Sequence, residues 1–433
     1  MQIKGDKSLD KIKKAIKQHK KLYVFLAKGR KGTESICEFI RGRKKLYYST
    51  LRMKTFVNNE YKLNSYQVSS VKGFCSKNNL KYSILEKEQL REICIPHYYG
   101  SQEKEEIRKA VSREIYVAEL ANAEIVGANG FIIAGGNCLY DMAAADKDNR
   151  YDLRIESLKI IDKNYAAVEC IGTNQVFEEA IFLVGFAPGN YFHVTAEIFS
   201  RLQYIDYYEE YRSIPLLIDE IALKIPQYRD LLEKINKYNH PVIPVKKGHM
   251  YSVKRLIYPS YNTWMPINVK GGSDLRAEDF LVAKSGVEYI RNSVLGEVKP
   301  EGYRKIYISR KNVNNIRLLN NKEVEEIFGK YGFEIIFPEN LSFDDQVEIF
   351  SQAKYVAGPT GAALTNILYC PGNAAVITII PKEFNFHLYS TMAKLLNIQS
   401  IYLDAKIIKK GKNISWDKFE LDLNYCEEFL KNL

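Results

Sequence analysis

One stretch of the sequence places an imidazole and a carboxylate where they could act on a hydroxyl group. Residues 180–202, AIFLVGFAPGNYFHVTAEIFSRL, predict an apolar strand, an Ala-Pro-Gly-Asn turn and a helix. Asn190 is suited to cap this helix, and His193 and Glu197 stand one turn apart on a face that Arg201 continues. The pair predicts a general base, with one group taking the proton and the other orienting it or the substrate. A half-buried histidine with a supporting glutamate is the alternative.

A second stretch has the residues of an anion cradle. Residues 354–366, KYVAGPTGAALTN, predict a strand, a Gly-Pro-Thr-Gly turn and a helix. Gly358 and Gly361 bear no side chain, so the N–H groups of the following residues can converge on an anion at the positive end of the helix. The candidate contacts are Gly358, Thr360, Gly361, Ala362, Ala363 and Asn366. A plain strand-to-helix turn is equally compatible with this pattern, which is neither a GxGxxG fingerprint nor a Walker motif.

Cations near this cradle favour phosphate. Arg310 and Lys311 come at the end of the predicted strand KIYISR, and Arg317 follows shortly after them. In doubly wound sheets, ligands bind at the carboxyl ends of the parallel strands. We therefore expect these three side chains and the cradle to share one edge of the sheet, where guanidinium groups suit a diphosphate.

Two other motifs carry less weight. Asp146 and Asp148 form an Asp-x-Asp pair, which can hold a metal-bound nucleotide sugar, but they lie in the polar segment AADKDNRYD and are expected by chance in a chain of this length. We interpret them as a hairpin tip and predict no metal site. Trp264 can offer an acceptor-side stacking platform, although a place in the core is the alternative.

The elements around these residues alternate in the manner of an α/β protein. Residues 84–187 are rich in short strands, and beyond them strands and helices take turns. The last third reads as strand, helix, strand, helix, strand, helix, strand, which predicts βαβ units around a parallel sheet. Ser342 followed by Asp345 resembles a capping box at the start of one of these helices.

Composition narrows the class of protein. The 433 residues are 46% hydrophobic and 27% charged, which excludes a disordered chain, a disulfide miniprotein and a coiled coil. The seven scattered cysteines suit reduced thiols, and we expect a cytoplasmic location. Residues 1–47 hold 15 basic and four acidic residues, and this excess of positive charge equals the net charge of the entire chain, +11. This segment predicts either peripheral contact with an anionic membrane at its inner face or a solvated helix, and nucleic acid is not an expected partner.

The last third resembles the bacterial branch of glycosyltransferase family 61, whose members are often labelled capsular polysaccharide biosynthesis proteins. The phrases PENLSFDDQVEIFSQA and GPTGAALTN carry most of the resemblance, and NYFHVTAEIFSRL is similar to an earlier Phe-His-x-x-x-acidic segment of the family. The similarity extends over roughly residues 84–433. One departure is Thr360, where the family usually has histidine, so a donor contact is shortened or lost here.

The resemblance implies a GT-B-like architecture with two Rossmann-type lobes facing a cleft. The first 80 or so residues have no recognised counterpart in the family, and we expect them to belong to a basic N-terminal extension (1–84). We expect an acceptor-side lobe (85–270) that starts rich in strands, and a nucleotide-sugar-binding lobe (271–433). We expect the boundary near Gly271, Gly272 and Ser273, where the pattern breaks.

The resemblance also implies inverting, metal-independent transfer of a sugar from a nucleotide-diphosphate donor, expected to be UDP-linked, to a glycan or lipid-linked glycan in cell-surface polysaccharide synthesis. Carried over by position, the donor contacts are Arg310, Gly361, Ala362 and Asn366, and the base pair is Glu197 supported by His193. Asn190, Arg201 and Trp264 fall on the acceptor side. A non-catalytic nucleotide-binding regulator or scaffold of the same machinery is the alternative.

Overall fold

The computed structural model describes residues 61–433 apart from 155, 162–163, 267–268, 271–274, 312–314 and 412–413. The chain divides into two units, residues 1–63 and 64–433, and the account below concerns the second. The basic N-terminal segment and the boundary predicted at residues 271–273 lie outside the described residues.

The first part of the described chain is dominated by strands. Its strands and helices are β1 (Tyr61–Ser69), α1 (Val71–Lys77), β2 (Tyr82–Glu86), β3 (Leu90–Ile95), β4 (His97–Tyr98), β5 (Glu106–Val111), β6 (Ile115–Val126), β7 (Ile132–Ala134), β8 (Asn137–Leu139), α2 (Asp141–Ala145), β9 (Leu158–Ile161) and β10 (Tyr165–Leu183). The strand-rich character predicted for this stretch is confirmed.

Short helices and strands then alternate. A π-helix (His193–Ile198) and a 3₁₀ turn (Phe199–Arg201) run into α3 (Leu202–Ile205), followed by a 3₁₀ turn (Glu209–Tyr211), β11 (Leu216–Asp219), α4 (Glu220–Leu223), α5 (Pro226–Ile235), β12 (Val242–Val245), β13 (His249–Pro259), a 3₁₀ turn (Ala277–Asp279) and α6 (Lys284–Leu295).

The last third has the predicted strand–helix order. It contains β14 (Arg304–Ile308), α7 (Asn321–Lys330), β15 (Glu334–Ile336), a 3₁₀ turn (Pro338–Asn340), α8 (Phe343–Ser351), β16 (Ala353–Pro359), a 3₁₀ helix (Ala362–Tyr369), β17 (Ala375–Ile380), a 3₁₀ turn (Lys382–Phe384), α9 (Leu388–Leu395), β18 (Gln399–Asp404), β19 (Lys406–Lys409), a 3₁₀ turn (Ile414–Trp416), β20 (Lys418–Glu420) and α10 (Leu423–Lys431). Ser342 caps α8 as expected, because its Oγ accepts the N–H of Asp345 at 3.1 Å.

Two large sheets organise these elements. The first has ten strands along the order β1-β8-β7-β6-β13-β10-β11-β12, with β2 beside β6 and β9 beside β10. It is mixed, since β13, β10, β11 and β12 run parallel while β6 is antiparallel to β13. The second sheet, β15-β14-β16-β17-β18-β4, is wholly parallel. The α/β class is therefore confirmed, whereas the GT-B-like arrangement of two lobes stays a prediction.

The two sheets are connected by a strand from the first half of the chain and by a common hydrophobic core. Strand β4 belongs in sequence to the first half but pairs with β18 at the edge of the second sheet, through Ile401 with His97 and Tyr402 with Tyr98. One hydrophobic core contains buried side chains of both sheets, such as Ile181 of β10 and Ile306 of β14. Burial of this shared apolar surface holds the two sheets together.

None of the helices in the described part of the chain is both long and apolar enough to cross a lipid bilayer.

Candidate active site

The segment that carries His193 leaves β10 through a tight turn. Ala187 has a positive φ of 50°, and the side chain of Asn190 then accepts the N–H groups of Phe192 at 3.0 Å and His193 at 3.4 Å. Asn190 thus caps the first helical turn, as its residue type predicts. The turn that follows is a π-helix, a rare conformation that occurs often at functional sites.

His193 and Glu197 form a buried, directly bonded pair. The imidazole Nδ1 donates to Glu197 Oε2 at 2.6 Å, and Glu197 Oε1 accepts the backbone N–H of Met265 at 3.2 Å. Glu197 is only 1% exposed, so both of its oxygens are occupied and neither faces solvent. An ionised carboxylate only accepts hydrogen bonds, so Nδ1 is assigned as the donor to Glu197, and in the neutral imidazole Nε2 is then the nitrogen that can accept a proton.

The imidazole ring is fixed on both sides by aromatic rings. The ring of Phe186 lies 4.8 Å from the ring of His193, and that of Phe192 lies 5.4 Å away. Within the described part of the chain, no protein group bonds to Nε2. The arrangement presents one unprotonated nitrogen in a defined orientation, which is what a general base requires.

The cradle turn leaves three backbone donors free. The N–H of Thr360 is used by the sheet, since it donates to Ile379 O at 3.0 Å. Residues 361–363 begin the 3₁₀ helix, and among the described residues their N–H groups have no backbone or side-chain acceptor. The sequence predicted converging donors here, and the structure places them at the carboxyl end of β16.

Arg310 lies directly over this turn. A Cβ atom added to Gly361 would be 1.8 Å from Arg310 Nη1, so only glycine leaves room for the guanidinium group. Gly361 has an extended backbone with φ 169°, and its need for glycine is therefore one of space. The expected meeting of Arg310 with the cradle on one sheet edge is present in the structure.

Arg317 adds a second guanidinium group. Its Nη2 donates to Ile414 O at 2.8 Å and its plane packs on the rings of Phe384 and Phe419, at 5.0 and 5.4 Å. The Nε atoms of Arg310 and Arg317 are both buried without a partner, and neither side chain forms an ion pair with a described residue. Two neighbouring cations with no carboxylate within ion-pair distance among the described residues can hold an anion.

The pKa values of the two arginines reflect this environment. Burial lowers the pKa of Arg310. Burial also lowers the pKa of Arg317 to about 10, and the nearby charge of Arg310 contributes to that shift. Both groups are still cations at neutral pH, so the site keeps its double positive charge.

Several residues predicted to contact the donor have contacts within the protein. Asn366 is fully buried and donates through Nδ2 to Gln346 Oε1 of helix α8 at 3.0 Å, and its Oδ1 has no partner among the described residues. A donor contact of Asn366 stays a prediction. Gly358 lets two strands approach, because a Cβ there would be 2.9 Å from Ile308 O. Thr360 is buried, whereas Lys311 is exposed to solvent beside Arg310. Gly361, Ala362 and Ala363 are the half-buried residues that line the turn.

Two residues predicted on the acceptor side have contacts within the protein. Arg201 is 0% exposed, and its guanidinium group donates to the carbonyl oxygens of Val184 at 3.0 Å and Pro259 at 3.3 Å. Trp264 is buried, and the guanidinium group of Arg113 lies 3.8 Å from its ring, a cation–π distance. A contact of either residue with an acceptor stays a prediction.

The Asp146 and Asp148 motif lies in the turn that follows α2, and the interpretation as a hairpin tip is wrong, because no hydrogen-bonded pair of described strands flanks it. Asp146 accepts the N–H groups of Arg150 and Tyr151 at 2.8 and 2.7 Å, and Asp148 is an exposed partner of Arg276 at 3.4 Å. No cluster of metal-ligating side chains occurs among the residues that the structure describes.

A pair of tyrosines that the sequence did not single out links the two halves of the site. The Tyr191 hydroxyl, at the start of the segment with His193, lies 3.2 Å from the Tyr369 hydroxyl at the end of the 3₁₀ helix that Gly361 begins. No spacing rule joins residues 178 positions apart, and only the packing of the two sheets brings them together.

Comparison with known protein families finds a match to a glycosyltransferase family. Residues 191–377 match the family model described as Glycosyltransferase 61. This match contains the His193–Glu197 pair, both arginines and the cradle turn.

A curated relative supports the same class. The chain is 26% identical over 231 residues to the alpha-1,3-arabinosyltransferase XAT3 of Oryza sativa subsp. japonica. The alignment covers 51% of this chain and 39% of the rice protein, so the chain spans less than half of that relative. Both comparisons thus find similarity to glycosyltransferases, and residues 191–377 are similar to family 61 among them.

Proposed function

We propose that this protein transfers a sugar from a nucleotide-diphosphate sugar to a hydroxyl group of a glycan, with inversion at the anomeric carbon. The observation that carries the proposal is the arginine site: two half-buried arginine side chains whose Nε atoms are buried and unpartnered, beside three backbone N–H groups without an acceptor among the described residues. A diphosphate supplies the oxygens that these donors lack. The site lies within the segment similar to glycosyltransferase family 61.

His193 is the proposed base. The sequence suggested Glu197 in this role with His193 in support, but the geometry favours the reverse assignment, since the carboxylate is enclosed and Nε2 is the free atom. Nε2 takes the proton of the acceptor hydroxyl as its oxygen bonds to the anomeric carbon. The bond from that carbon to the phosphate oxygen breaks, and its electron pair leaves with the nucleoside diphosphate. Glu197 is a positioning residue that stabilises the resulting imidazolium.

The arginine site takes the role that a metal ion has in other transferases. Negative charge develops on the departing diphosphate, and the groups that face it are already oriented: Arg310 over Gly361, Arg317 against two aromatic rings, and the N–H groups of 361–363. Fixed donors stabilise developing charge without reorganisation. We therefore propose that transfer needs no divalent cation.

The wider setting is also proposed. A UDP-linked sugar is the donor that we expect, and a glycan or lipid-linked glycan of the cell envelope is the acceptor. We place the protein in the cytoplasm at the inner face of the membrane, with a GT-B-like division into an acceptor-side and a donor-side lobe.

The test is a panel of UDP-sugars incubated with the protein and candidate glycan acceptors. Release of nucleoside diphosphate that depends on acceptor, and a product whose anomeric configuration is opposite to that of the donor by NMR, are expected. A non-catalytic nucleotide-binding scaffold predicts retention of the nucleotide sugar without turnover. Release without inversion contradicts the mechanism, and no release across the panel with tight diphosphate binding supports the scaffold.

A further inference from the structure

The hairpin β19–β20 exposes apolar side chains on a surface that the proposed reaction does not use. Trp416 is 54% exposed and Ile408 is 49% exposed. The neighbouring segment 315–319 adds the exposed side chains of Ile316 and Leu319. We call these four residues, Ile316, Leu319, Ile408 and Trp416, the hairpin patch.

The two segments of the hairpin patch are bonded to each other. The N–H of Leu319 donates to Phe419 O at 2.9 Å, and Asn315 Nδ2 donates to Ser415 O at 2.8 Å. Ile407 and Phe419 face inwards from the same hairpin and pack in the core. The inner face anchors the two strands, so Ile408 is presented by a paired strand, and Trp416 lies in the 3₁₀ turn between the strands.

Unpaired lysines accompany the patch. Lys406, Lys409 and Lys410 are exposed, and none of them lies within ion-pair distance of a carboxylate in the described part of the chain. Glu420 stands opposite Lys406 in the strand ladder without forming an ion pair. Asp417 is buried and accepts the N–H of Gly411 at 2.6 Å, so it does not neutralise the lysines.

Two lysines near the second sheet, Lys382 and Lys394, have carboxylate partners, whereas Lys354 of β16 is exposed and forms no ion pair with a described residue. Lys382 lies 2.7 Å from Glu103, and Lys394 lies 2.9 Å from Glu105. The hairpin therefore combines exposed apolar groups with positive charge that has no internal partner. Its complement is a surface that is negatively charged on the outside and apolar beneath.

We propose that the hairpin patch docks on an anionic lipid bilayer. Tryptophan favours the membrane interface, where its ring is buried and its N–H stays hydrated, and lysines beside it attract acidic headgroups. A nucleic acid would satisfy the lysines but would offer nothing to Ile408 and Leu319, so a bilayer fits the whole patch better. No helix inserts, and binding is peripheral and reversible.

This surface is connected to the arginine site. Arg317 Nη2 donates to Ile414 O inside the hairpin at 2.8 Å, and Arg310 Nη2 donates to Asn315 O at 3.5 Å. Docking would hold the donor-binding arginines close to the headgroups. If the proposed function is correct, this brings the diphosphate site to a lipid-linked acceptor, but the docking itself does not depend on sugar transfer.

Intrinsic fluorescence tests the proposal directly, because the full chain has only two tryptophans and Trp264 is buried. The full chain is mixed with vesicles of phosphatidylcholine alone or with phosphatidylglycerol added, without any sugar donor. We expect the emission of Trp416 to shift to shorter wavelength with the anionic vesicles only, and the shift to be absent in Trp416→Phe. Sedimentation with the vesicles but no change in Trp416 emission overturns the proposal and points to the basic N-terminal segment.

Charge-reversal substitutions distinguish an effect of the hairpin lysines from an effect of the net charge of the protein. The triple variant Lys406→Glu, Lys409→Glu, Lys410→Glu is expected to bind anionic vesicles at least about tenfold more weakly, since each surface lysine contributes several-fold. A variant with Lys77, Lys104 and Lys299 changed to Glu has the same net charge and is the matched control, because these lysines are exposed and lie outside the hairpin. Equal losses in both variants overturn the proposal.

Further variants test the apolar residues of the hairpin patch. Ile408→Ser with Trp416→Ala is expected to lower the partition coefficient by roughly tenfold, whereas Val298→Ser, at another exposed apolar residue, leaves it unchanged. Unchanged binding of the Ile408 and Trp416 variant contradicts docking through this hairpin. Circular dichroism confirms that each variant is folded.

Discussion

The imidazole–carboxylate pair and the arginine site differ in how their polar atoms are satisfied. Around Glu197, each carboxylate oxygen has a donor, at 2.6 and 3.2 Å, and the pair is complete within the protein. Around Arg310 and Arg317, two Nε atoms and three backbone N–H groups lack acceptors among the described residues. The first region is organised before a substrate arrives, and the second region needs its ligand to satisfy it. Under the proposed function, this difference corresponds to a base that is held in place by the protein and a site whose donors are satisfied by the diphosphate.

The largest effect on turnover is expected from a substitution in the His193–Glu197 pair. His193→Ala removes the proposed base and should lower kcat by about 10²- to 10⁴-fold, with the affinity for nucleoside diphosphate unchanged. Steady-state kinetics and calorimetry measure the two quantities. The matched control is His249→Ala, since His249 bonds through Nδ1 to Lys247 O at 3.0 Å away from the pair. Near-normal turnover without His193 removes it from the mechanism.

A smaller loss is expected when only the charge of the pair is removed. Glu197→Gln keeps the size of the side chain but loses the charge-assisted hydrogen bond to the imidazole, worth about 1.5 to 3 kcal/mol. We expect kcat to fall by roughly 10- to 100-fold while KM for the donor changes little. Unfolding by urea checks that the variant is folded. A rise in KM with unchanged kcat would instead indicate that Glu197 contacts substrate.

Removing Arg310 from the arginine site is expected to lower the affinity for ligand without lowering the stability of the ligand-free protein. Arg310→Ala is expected to weaken nucleoside diphosphate binding by about 1.5 to 3 kcal/mol and to leave binding of the nucleoside alone unchanged. Without ligand the variant should be at least as stable as the natural protein, because an unpaired buried charge is removed. Calorimetry and thermal unfolding test both statements.

Arg304→Ala is the control for that variant, since the Arg304 guanidinium group is paired with Glu334 on the surface. It should alter neither affinity. Equal losses for nucleoside and nucleoside diphosphate in Arg310→Ala would show that Arg310 does not contact the phosphates.

A smaller effect on diphosphate binding is expected from adding a single methyl group at Gly361. Gly361→Ala places a Cβ 1.8 Å from Arg310 Nη1, and the extended backbone at this residue accepts alanine, so the guanidinium group is the part that must move. We expect roughly tenfold weaker diphosphate binding, about 1.4 kcal/mol. Gly329→Ala on α7 is the matched control, because its Cβ would meet no atom within 4 Å. Equal affinity in both variants would separate Arg310 from the cradle.

No effect at all is expected from chelation. If the arginines and backbone N–H groups neutralise the leaving diphosphate, transfer should survive EDTA, and Asp148→Asn should leave kcat unchanged because Asp148 is an exposed partner of Arg276. Loss of activity on chelation with recovery on adding Mn²⁺ would contradict the proposed role of the arginine site and return attention to Asp146 and Asp148.

The sequence predicted local features well because they depend on local chemistry. The strand–helix order of the last third, the cap at Ser342 and the placement of Arg310 by Gly361 all follow from short-range pattern and from the geometry of parallel sheets. The 3₁₀ form of the helix at 362–369 was not predicted, since the apolar period of such a short run does not distinguish i→i+3 from i→i+4 bonding.

Arg201 illustrates what spacing rules omit. On an α-helix it would continue the face of His193 and Glu197, which is why the sequence suggested an acceptor contact. The segment His193–Ile198 is instead a π-helix, and His193, Glu197 and Arg201 are all buried. The side chain of Arg201 lies in the core, where backbone carbonyls satisfy it. The tyrosine pair Tyr191 and Tyr369 likewise depends on packing between distant segments.

The two-residue strand β4 has a consequence for how the chain is made. Its partner β18 is about 300 residues later, so during synthesis His97 and Tyr98 emerge from the ribosome long before the edge that they complete exists. Pairing over such a separation is slow and leaves strand edges exposed in the meantime. A fragment that begins after β4 would lack this edge strand, and supplying residues 61–270 as a separate chain should rescue its solubility. Split-protein complementation would thus reveal whether the second sheet can be completed only after the first has formed.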